Sequence, residues 1–200
     1  MKNFAFTSDQ QLMQAMFEGA RSHSDWQDKP VSVDLLKQIY ERAKWGPTSM
    51  NLQPMRVVFL VDPVQRQRLV PALKPANVRK VVDAPVTALI AWDVNYYKRL
   101  AKLFGHRPEY QAMYEKDSQF AETTAFRNSS MQGAYLMLAA RSLGLDCGPM
   151  SGFEPSIVNS EFFPDGSARI NFICSLGYGD HSKLHPPGPR LAFEEVCQIF

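Results

Sequence analysis

Arg127 and Arg141 bracket thirteen consecutive uncharged residues, Asn128 to Ala140. Met131, Ala134, Tyr135, Leu138 and Ser142 recur there at helical spacing, and Leu136, Met137, Ala139 and Ala140 fill most of the other faces. The run is too short to span a bilayer, which takes about 20 residues, and it predicts a buried helix. A helix apolar nearly all round must be covered all round. In a chain this small, one side is expected to be covered by a second copy of the same chain. Gly144 stands where a helix C′ residue belongs. Cys147-Gly148-Pro149-Met150-Ser151-Gly152 then predicts a tight loop whose backbone can come close to a flat ligand.

The remaining pattern places elements on either side of this helix. Ser8 and Gln11 resemble a capping box ahead of a helix with Leu12, Ala15, Met16 and Gly19 on one face. Pro30 and Ser32 open a second helix, with Leu35, Leu36, Ile39, Tyr40 and Ala43 inward, and Gly46-Pro47 breaks it. Arg56 to Asp62, Pro85 to Trp92 and Ile170 to Tyr178 are apolar, β-branched runs that predict three strands. The second is apolar enough to be buried on both faces. Val64 to Leu73 and Ser156 to Phe162 predict short helices. Val94 to about Tyr114 predicts an irregular helical excursion, rich in tyrosine and broken by Gly105 and Pro108. Leu184 to Pro189 predicts an extended arm, with Ala192 to Ile199 closing the chain as a short helix or a further stretch of arm. Strands separated by helices imply an α/β or α+β fold, with helices covering a small sheet.

Composition narrows the function. The chain has 200 residues, 45% of them apolar, and a formal net charge of +2 from 22 basic and 20 acidic residues. No basic tract appears, which excludes the electrostatic footprint of a nucleic-acid binder. The first residues lack the apolar core of a signal peptide, and three widely spaced cysteines argue for a reducing compartment. A cytoplasmic protein with no membrane or nucleic-acid partner is expected.

Common catalytic fingerprints are missing. Gly177-Tyr178-Gly179 begins like a dinucleotide motif, but Ser182 stands at the last glycine position and no helix follows. His181 and His185 are four apart, yet they flank a proline-rich arm without a second pair of ligands, so no metal site is expected. Cys147 has no obvious histidine partner and is read as a packed thiol. What remains is four polar clusters, each at the end of an apolar element: Arg21 to Ser24, Thr48 to Asn51, Asn77 to Lys80, and Lys183 to Arg190. Basic groups in the first and last suit a phosphate. Small amides and hydroxyls in the second suit the edge of a heterocycle, and a lysine beside an asparagine suits a carbonyl edge that becomes anionic.

Together these segments resemble the FMN-dependent nitroreductase family along nearly the whole chain. The resemblance rests on an Arg-Ser segment after the first helix and on the loop Pro47-Thr48-Ser49-Met50-Asn51-Leu52-Gln53-Pro54. It continues through Asn77 and Lys80 ahead of a buried strand, the core helix and its glycine-rich loop, Gly177-Tyr178, and an arm ending in Arg190 with Glu194-Glu195-Val196 beyond. Within the family, KWGPTSMNLQP, ETTAFRNSSMQGAYLM and GLDCGPMSGF look like the malonic semialdehyde reductase subgroup.

The resemblance implies an α+β fold of nitroreductase type: a small, mostly antiparallel sheet covered by helices, a long central helix, and an intertwined homodimer with FMN at the interface. It makes residues 1–200 a single FMN-binding domain, with a helical excursion at about 94–118 and a C-terminal arm at about 180–200. It assigns Arg21 and Arg190, with Lys183, to the FMN phosphate, beside Ser22 and a hydrogen-bonding His23. Pro47, Thr48, Ser49 and Asn51 form the loop that meets the flavin from the partner chain. Asn77 and Lys80 meet its pyrimidine edge, and Pro149, Met150, Ser151 and Gly152 lie along it near N5. Many members carry a second basic residue where Asp25 stands here. The chemistry would be ping-pong hydride transfer from NADH or NADPH through the flavin, with Lys80 acting electrostatically and no side-chain general acid. The subgroup implies 3-oxopropanoate as acceptor. The alternatives are a broad nitroaromatic or quinone reductase, or a flavin-binding module without catalysis.

Overall fold

The computed structural model describes residues 10–200, so the capping box read at Ser8 lies outside the described residues. Helix α1 (Gln10–Met16) leads to α2 (Val33–Ala43), which Ser32 caps by accepting a hydrogen bond from the Leu35 N–H at 3.2 Å. Strand β1 (Met55–Leu60), α3 (Pro63–Gln67), α4 (Pro75–Val82) and β2 (Val86–Asp93) follow. Short helices α5 (Leu100–Leu103) and α6 (Gln111–Lys116), separated by 3₁₀ turns, make up the tyrosine-rich excursion. Then come the long helix α7 (Ser118–Ser142), β3 (Asp146–Met150), α8 (Pro155–Phe162), β4 (Ala168–Gly177) and α9 (Phe193–Val196).

The four strands form one antiparallel sheet in the order β1-β2-β4-β3. Every residue of β2 is buried, as expected for a central strand. Its side chains alternate between two cores. Val86, Ala88 and Ile90 face α2 and α7, packing with Leu36, Ile39, Leu136 and Ala140. Leu89 faces the opposite side with Val81 of α4 and Val158 of α8. The fold is thus α+β, a small sheet covered by helices on both faces.

Residues 146–150 form an edge strand, where the sequence predicted a loop. Glycine and proline hide the strand signal, but an edge tolerates both, because Pro149 needs no N–H on the open side. Tyr40 is another correction: it is exposed rather than inward, and α2 buries only Leu36, Ile39 and Ala43.

Helix α7 begins ten residues before the uncharged run. Asp117 caps it by accepting from the Phe120 N–H at 2.9 Å. It ends in a Schellman motif: the Leu145 N–H donates to the Ala140 carbonyl, the Gly144 N–H to Arg141, and Gly144 takes φ +81°. Its buried face is Gln132, Gly133, Leu136, Ala139 and Ala140, while Met131 and Tyr135 remain 40% exposed. A Cβ on Gly133 would lie 2.6 Å from the Phe172 ring, so the helix sits on the sheet at glycine distance. Asn171, the extra residue where β4 shifts register against β2, reaches back to the Ser129 and Ser130 hydroxyls at 2.9 Å each. At the far end of the sheet, Asp93 accepts from Arg56 of β1 at 2.6 Å and from Arg99, tying the excursion to the sheet.

Gly133→Val is expected to lower stability by about 1–3 kcal/mol, because the added side chain overpacks the seam between α7 and β4. Urea denaturation at fixed protein concentration checks this, and wild-type stability in the variant would contradict the packing described.

Candidate functional site

A cavity of about 750 Å³ opens between the end of α1, the Arg21–Asp25 segment, one side of α7 and the arm at 183–190. Arg21, Ser22, His23, Lys183 and Arg190 all line it, so the first and last polar clusters of the sequence converge here. Arg141, in the last turn of α7, joins them.

The charge balance of this cavity is uneven. Arg21 donates only to the carbonyls of Glu18 and Ala20, Arg190 to those of Gly188 and Pro189, and Arg141 to that of Met16. None of the three has a carboxylate partner among the described residues. Carbonyl contacts leave their charge uncompensated, so the cavity is arranged to take an anion. Asp25, which stands where a cation would help, is neutralised by Arg79 from outside the cavity at 3.0 Å and by Lys183 of its wall at 3.6 Å. Lys183 also lies 3.6 Å from Asp180, so its charge is already shared. The extra uncompensated cation is therefore Arg141. The sequence reading used Arg141 only to mark the end of an apolar run.

The Arg21–Trp26 segment is seated against β3. The His23 N–H donates to the Cys147 carbonyl at 3.0 Å, and the Ser22 backbone bridges to Cys147. Glycines allow this approach: a Cβ on Gly148 would be 2.4 Å from the His23 carbonyl oxygen, and one on Gly179 would be 1.9 Å from His23 Nδ1. His23 is consequently buried, and burial lowers its pKa from the ordinary value against the opposing pull of Asp146.

Strand β3 continues to the third cluster. Its exit at Gly152 accepts hydrogen bonds from the Asn77 side chain at 3.0 Å and the Lys74 N–H at 2.9 Å. A Cβ on Gly152 would strike Asn77 Nδ2 at 2.5 Å. Lys80, three residues on in α4, is half-buried, and its carbonyl accepts from Trp26 at 3.2 Å and Ser175 at 3.1 Å. Pro149, Met150, Ser151 and Gly152 therefore run from the cavity side toward Asn77 and Lys80. Cys147 and Cys174 are buried, and the neighbouring Cys147 thiol and then desolvation raise the Cys174 pKa, which fits packed thiols rather than nucleophiles.

The second cluster stands apart within one chain: Pro47, Thr48, Ser49 and Asn51 do not line the cavity. Their loop is held in an unusual backbone. Met50, Asn51 and Gln53 have φ of 47°, 53° and 45°. Left-handed conformations at non-glycine residues cost about 1–3 kcal/mol each and persist where the surroundings over-determine them. Here Asn128 and Gln132 of α7 accept from the Ser49 and Met55 N–H groups at 2.8 and 3.0 Å, and Asn51 donates to the Leu103 carbonyl at 3.1 Å.

Residues 18–178 match the profile of the nitroreductase family. A Polynucleobacter asymbioticus protein provisionally named NADH dehydrogenase/NAD(P)H nitroreductase is 50% identical over 191 residues, 96% of this chain and 97% of that protein. A Ralstonia nicotianae protein of the same provisional name is 45% identical over 193 residues, covering 96% and 98%. Among solved structures, a provisionally named nitroreductase from Exiguobacterium sibiricum, in complex with FMN, superimposes with a TM-score of 0.85 at 21% identity, covering 94% of this chain and 97% of that one. One from Bacillus subtilis gives 0.85 at 22%, covering 94% and 98%. These structural likenesses show a shared fold.

Three uncompensated arginines on one cavity predict anion-dependent stability. Replacing chloride by phosphate at constant ionic strength is expected to raise the Tm of the wild-type protein. Arg21→Ala and Arg141→Ala should each lose most of that rise, and an undiminished rise in both variants would refute the assignment.

Proposed function

The chain belongs to the nitroreductase family, and from that premise we propose that it is an FMN-dependent NAD(P)H oxidoreductase, assembled as a homodimer with the cofactor at the subunit interface. The carrying observation is the cavity where Arg21, Arg141 and Arg190 stand without carboxylate partners, linked through β3 to Asn77 and Lys80. An elongated ligand with an anionic end and a flat, hydrogen-bonding end fits this layout, and the glycine positions along β3 fit a close approach.

When bound, FMN supplies the hydride chemistry, accepting from NAD(P)H and donating to the acceptor. The chain holds the phosphate with Arg21, Arg190 and Arg141, with Ser22 beside them. Asn77, fixed on the Gly152 carbonyl, orients the pyrimidine edge. Lys80 has no carboxylate partner among the described residues, so it can place a fixed positive charge where that edge gains electrons. The Pro149–Gly152 backbone would line the ring. Ser49 and Asn51 would reach the partner's flavin, a role that fits a strained loop standing away from its own chain's cavity.

Two exposed apolar surfaces support the dimer. Met131 and Tyr135 stand together on α7, each 40% exposed, and Leu191, Phe193, Val196, Ile199 and Phe200 leave the C-terminal arm apolar and exposed. Among the described residues no helix is long and apolar enough to cross a membrane.

We further propose 3-oxopropanoate, reduced to 3-hydroxypropanoate, as acceptor. The support is the wording of the KWGPTSMNLQP, ETTAFRNSSMQGAYLM and GLDCGPMSGF segments. A short oxo acid needs a cation for its carboxylate, and Arg127, exposed on α7 without a carboxylate partner among the described residues, offers one. Arg107 is engaged with Glu109. The names of the relatives favour a second reading, reduction of nitroarenes.

Steady-state kinetics separate the two. A kcat/KM for 3-oxopropanoate well above that for nitrobenzene derivatives is expected, and Arg127→Ala should raise KM for the oxo acid about tenfold while leaving the nitroarene unchanged. A higher kcat/KM for the nitroarene would reject the oxo-acid assignment. Lys80→Ala should lower the flavin reduction potential or the FMN occupancy, and wild-type values for both would remove Lys80 from its role.

A further inference from the structure

His23, Asp146 and His181 come from three distant parts of the chain and meet beside the cavity. His23 Nε2 lies 3.3 Å from Asp146 Oδ1, and His181 Nε2 lies 3.4 Å from Asp146 Oδ2. One ligand atom from each residue falls within 4.8 Å of the other two. In a tetrahedral site with metal–nitrogen and metal–oxygen bonds of about 2.0–2.1 Å, neighbouring ligand atoms stand about 3.3–3.4 Å apart. Each histidine stands at about that edge length from an Asp146 oxygen, His23 from Oδ1 and His181 from Oδ2, and a shift of the exposed His181 would bring both imidazoles and one oxygen onto a single ion.

Hydrogen bonding does not account for the cluster. Neither ring nitrogen of His23 has a hydrogen-bond partner, although its side chain is 1% exposed. The Asp146 carboxylate is near Nε2 but off the line a hydrogen bond needs. An orphaned buried ring nitrogen is costly, and a bound cation would satisfy Nε2.

Two of the three groups are already fixed. His23 is anchored by its backbone on Cys147 and packed against Gly179. Asp146 is held by the Gly179 N–H, which donates to Oδ2 at 2.9 Å. The third, His181, sits on the exposed turn that follows β4, with its ring edge-on to His23 at 4.8 Å between centroids. The side chain is 66% exposed and free to adjust.

We propose that His23, Asp146 and His181 form a binding site for a divalent transition-metal ion of the zinc class. Two imidazoles and a carboxylate are the donor set such ions take. The ion would add positive charge to a cavity whose nearby acid, Asp25, is turned toward Arg79. The site stands on its own donor geometry, so it holds whether or not the flavin assignment does.

The test is metal binding to the purified full-length protein after treatment with a chelator. Zn²⁺ is titrated calorimetrically, and Co²⁺ by the visible bands of a tetrahedral complex. Saturable uptake of one equivalent per chain is expected, with a Kd of about 1 μM or tighter. Asp146→Asn and His181→Ala should each weaken binding at least about tenfold, the order seen when a metal site loses a supporting group. His181 lies on an exposed turn, so its variant keeps the test valid even where Asp146→Asn destabilises the fold; the wild-type Tm in the absence of metal confirms this. Absence of saturable uptake, or wild-type affinity in His181→Ala, would overturn the proposal.

Discussion

The seating of the Arg21–Trp26 segment on the edge of β3 and β4 is the constraint on which the site depends. It works only at glycine distance, because Gly148 and Gly179 leave no Cβ between the strands and His23. From this seat the segment reaches three places at once. Arg21 faces the cavity, Asp25 meets Arg79 of α4, and the Trp26 indole donates to the Lys80 carbonyl. One short stretch of backbone thereby fixes the anion-binding end of the site relative to Asn77 and Lys80. A larger residue at either glycine would push these groups apart without touching the chemistry itself.

Helix α7 supplies the second constraint, through polar rather than apolar residues. Asn128 and Gln132 are buried in the middle of a helix, where unpaired amides would be destabilising. Each accepts from a backbone N–H of the strained Ser49–Met55 stretch, so each satisfies a donor that the left-handed loop leaves without a regular partner. The same helix carries an apolar stripe through Met131 and Tyr135 that its own chain leaves 40% exposed. Core packing, support of the strained loop and a partly exposed apolar stripe thus lie on one element.

Apolar periodicity in the sequence was enough to place β1, β2, β4, α2 and α8, because long burial needs long apolar runs. It was not enough for β3, whose Gly148 and Pro149 are chosen for closeness and edge position rather than strand propensity. Side-chain direction was also lost. The stripe Met131, Ala134, Tyr135 and Leu138 has helical spacing, but the residues turned to the sheet are Gln132, Gly133 and Leu136, since Gly133 and two amides do not look like a core face. Likewise Tyr40 has the spacing of an inward residue and points outward. The convergence of Arg21 with Arg190 could be expected from family order. Arg141 and the His23–Asp146–His181 cluster could not, because these residues carry no shared local motif and meet only through the tertiary fold.

The central claim is a flavin that exchanges hydride with a nicotinamide, and the visible absorption spectrum of the purified protein before and after anaerobic NADH or NADPH tests it most directly. The account predicts the bands of an oxidised flavin, carried through purification or restored by added FMN, that bleach on addition of one of the two nicotinamides. A protein that carries and takes up no flavin, or a bound flavin that stays oxidised with both, would contradict it.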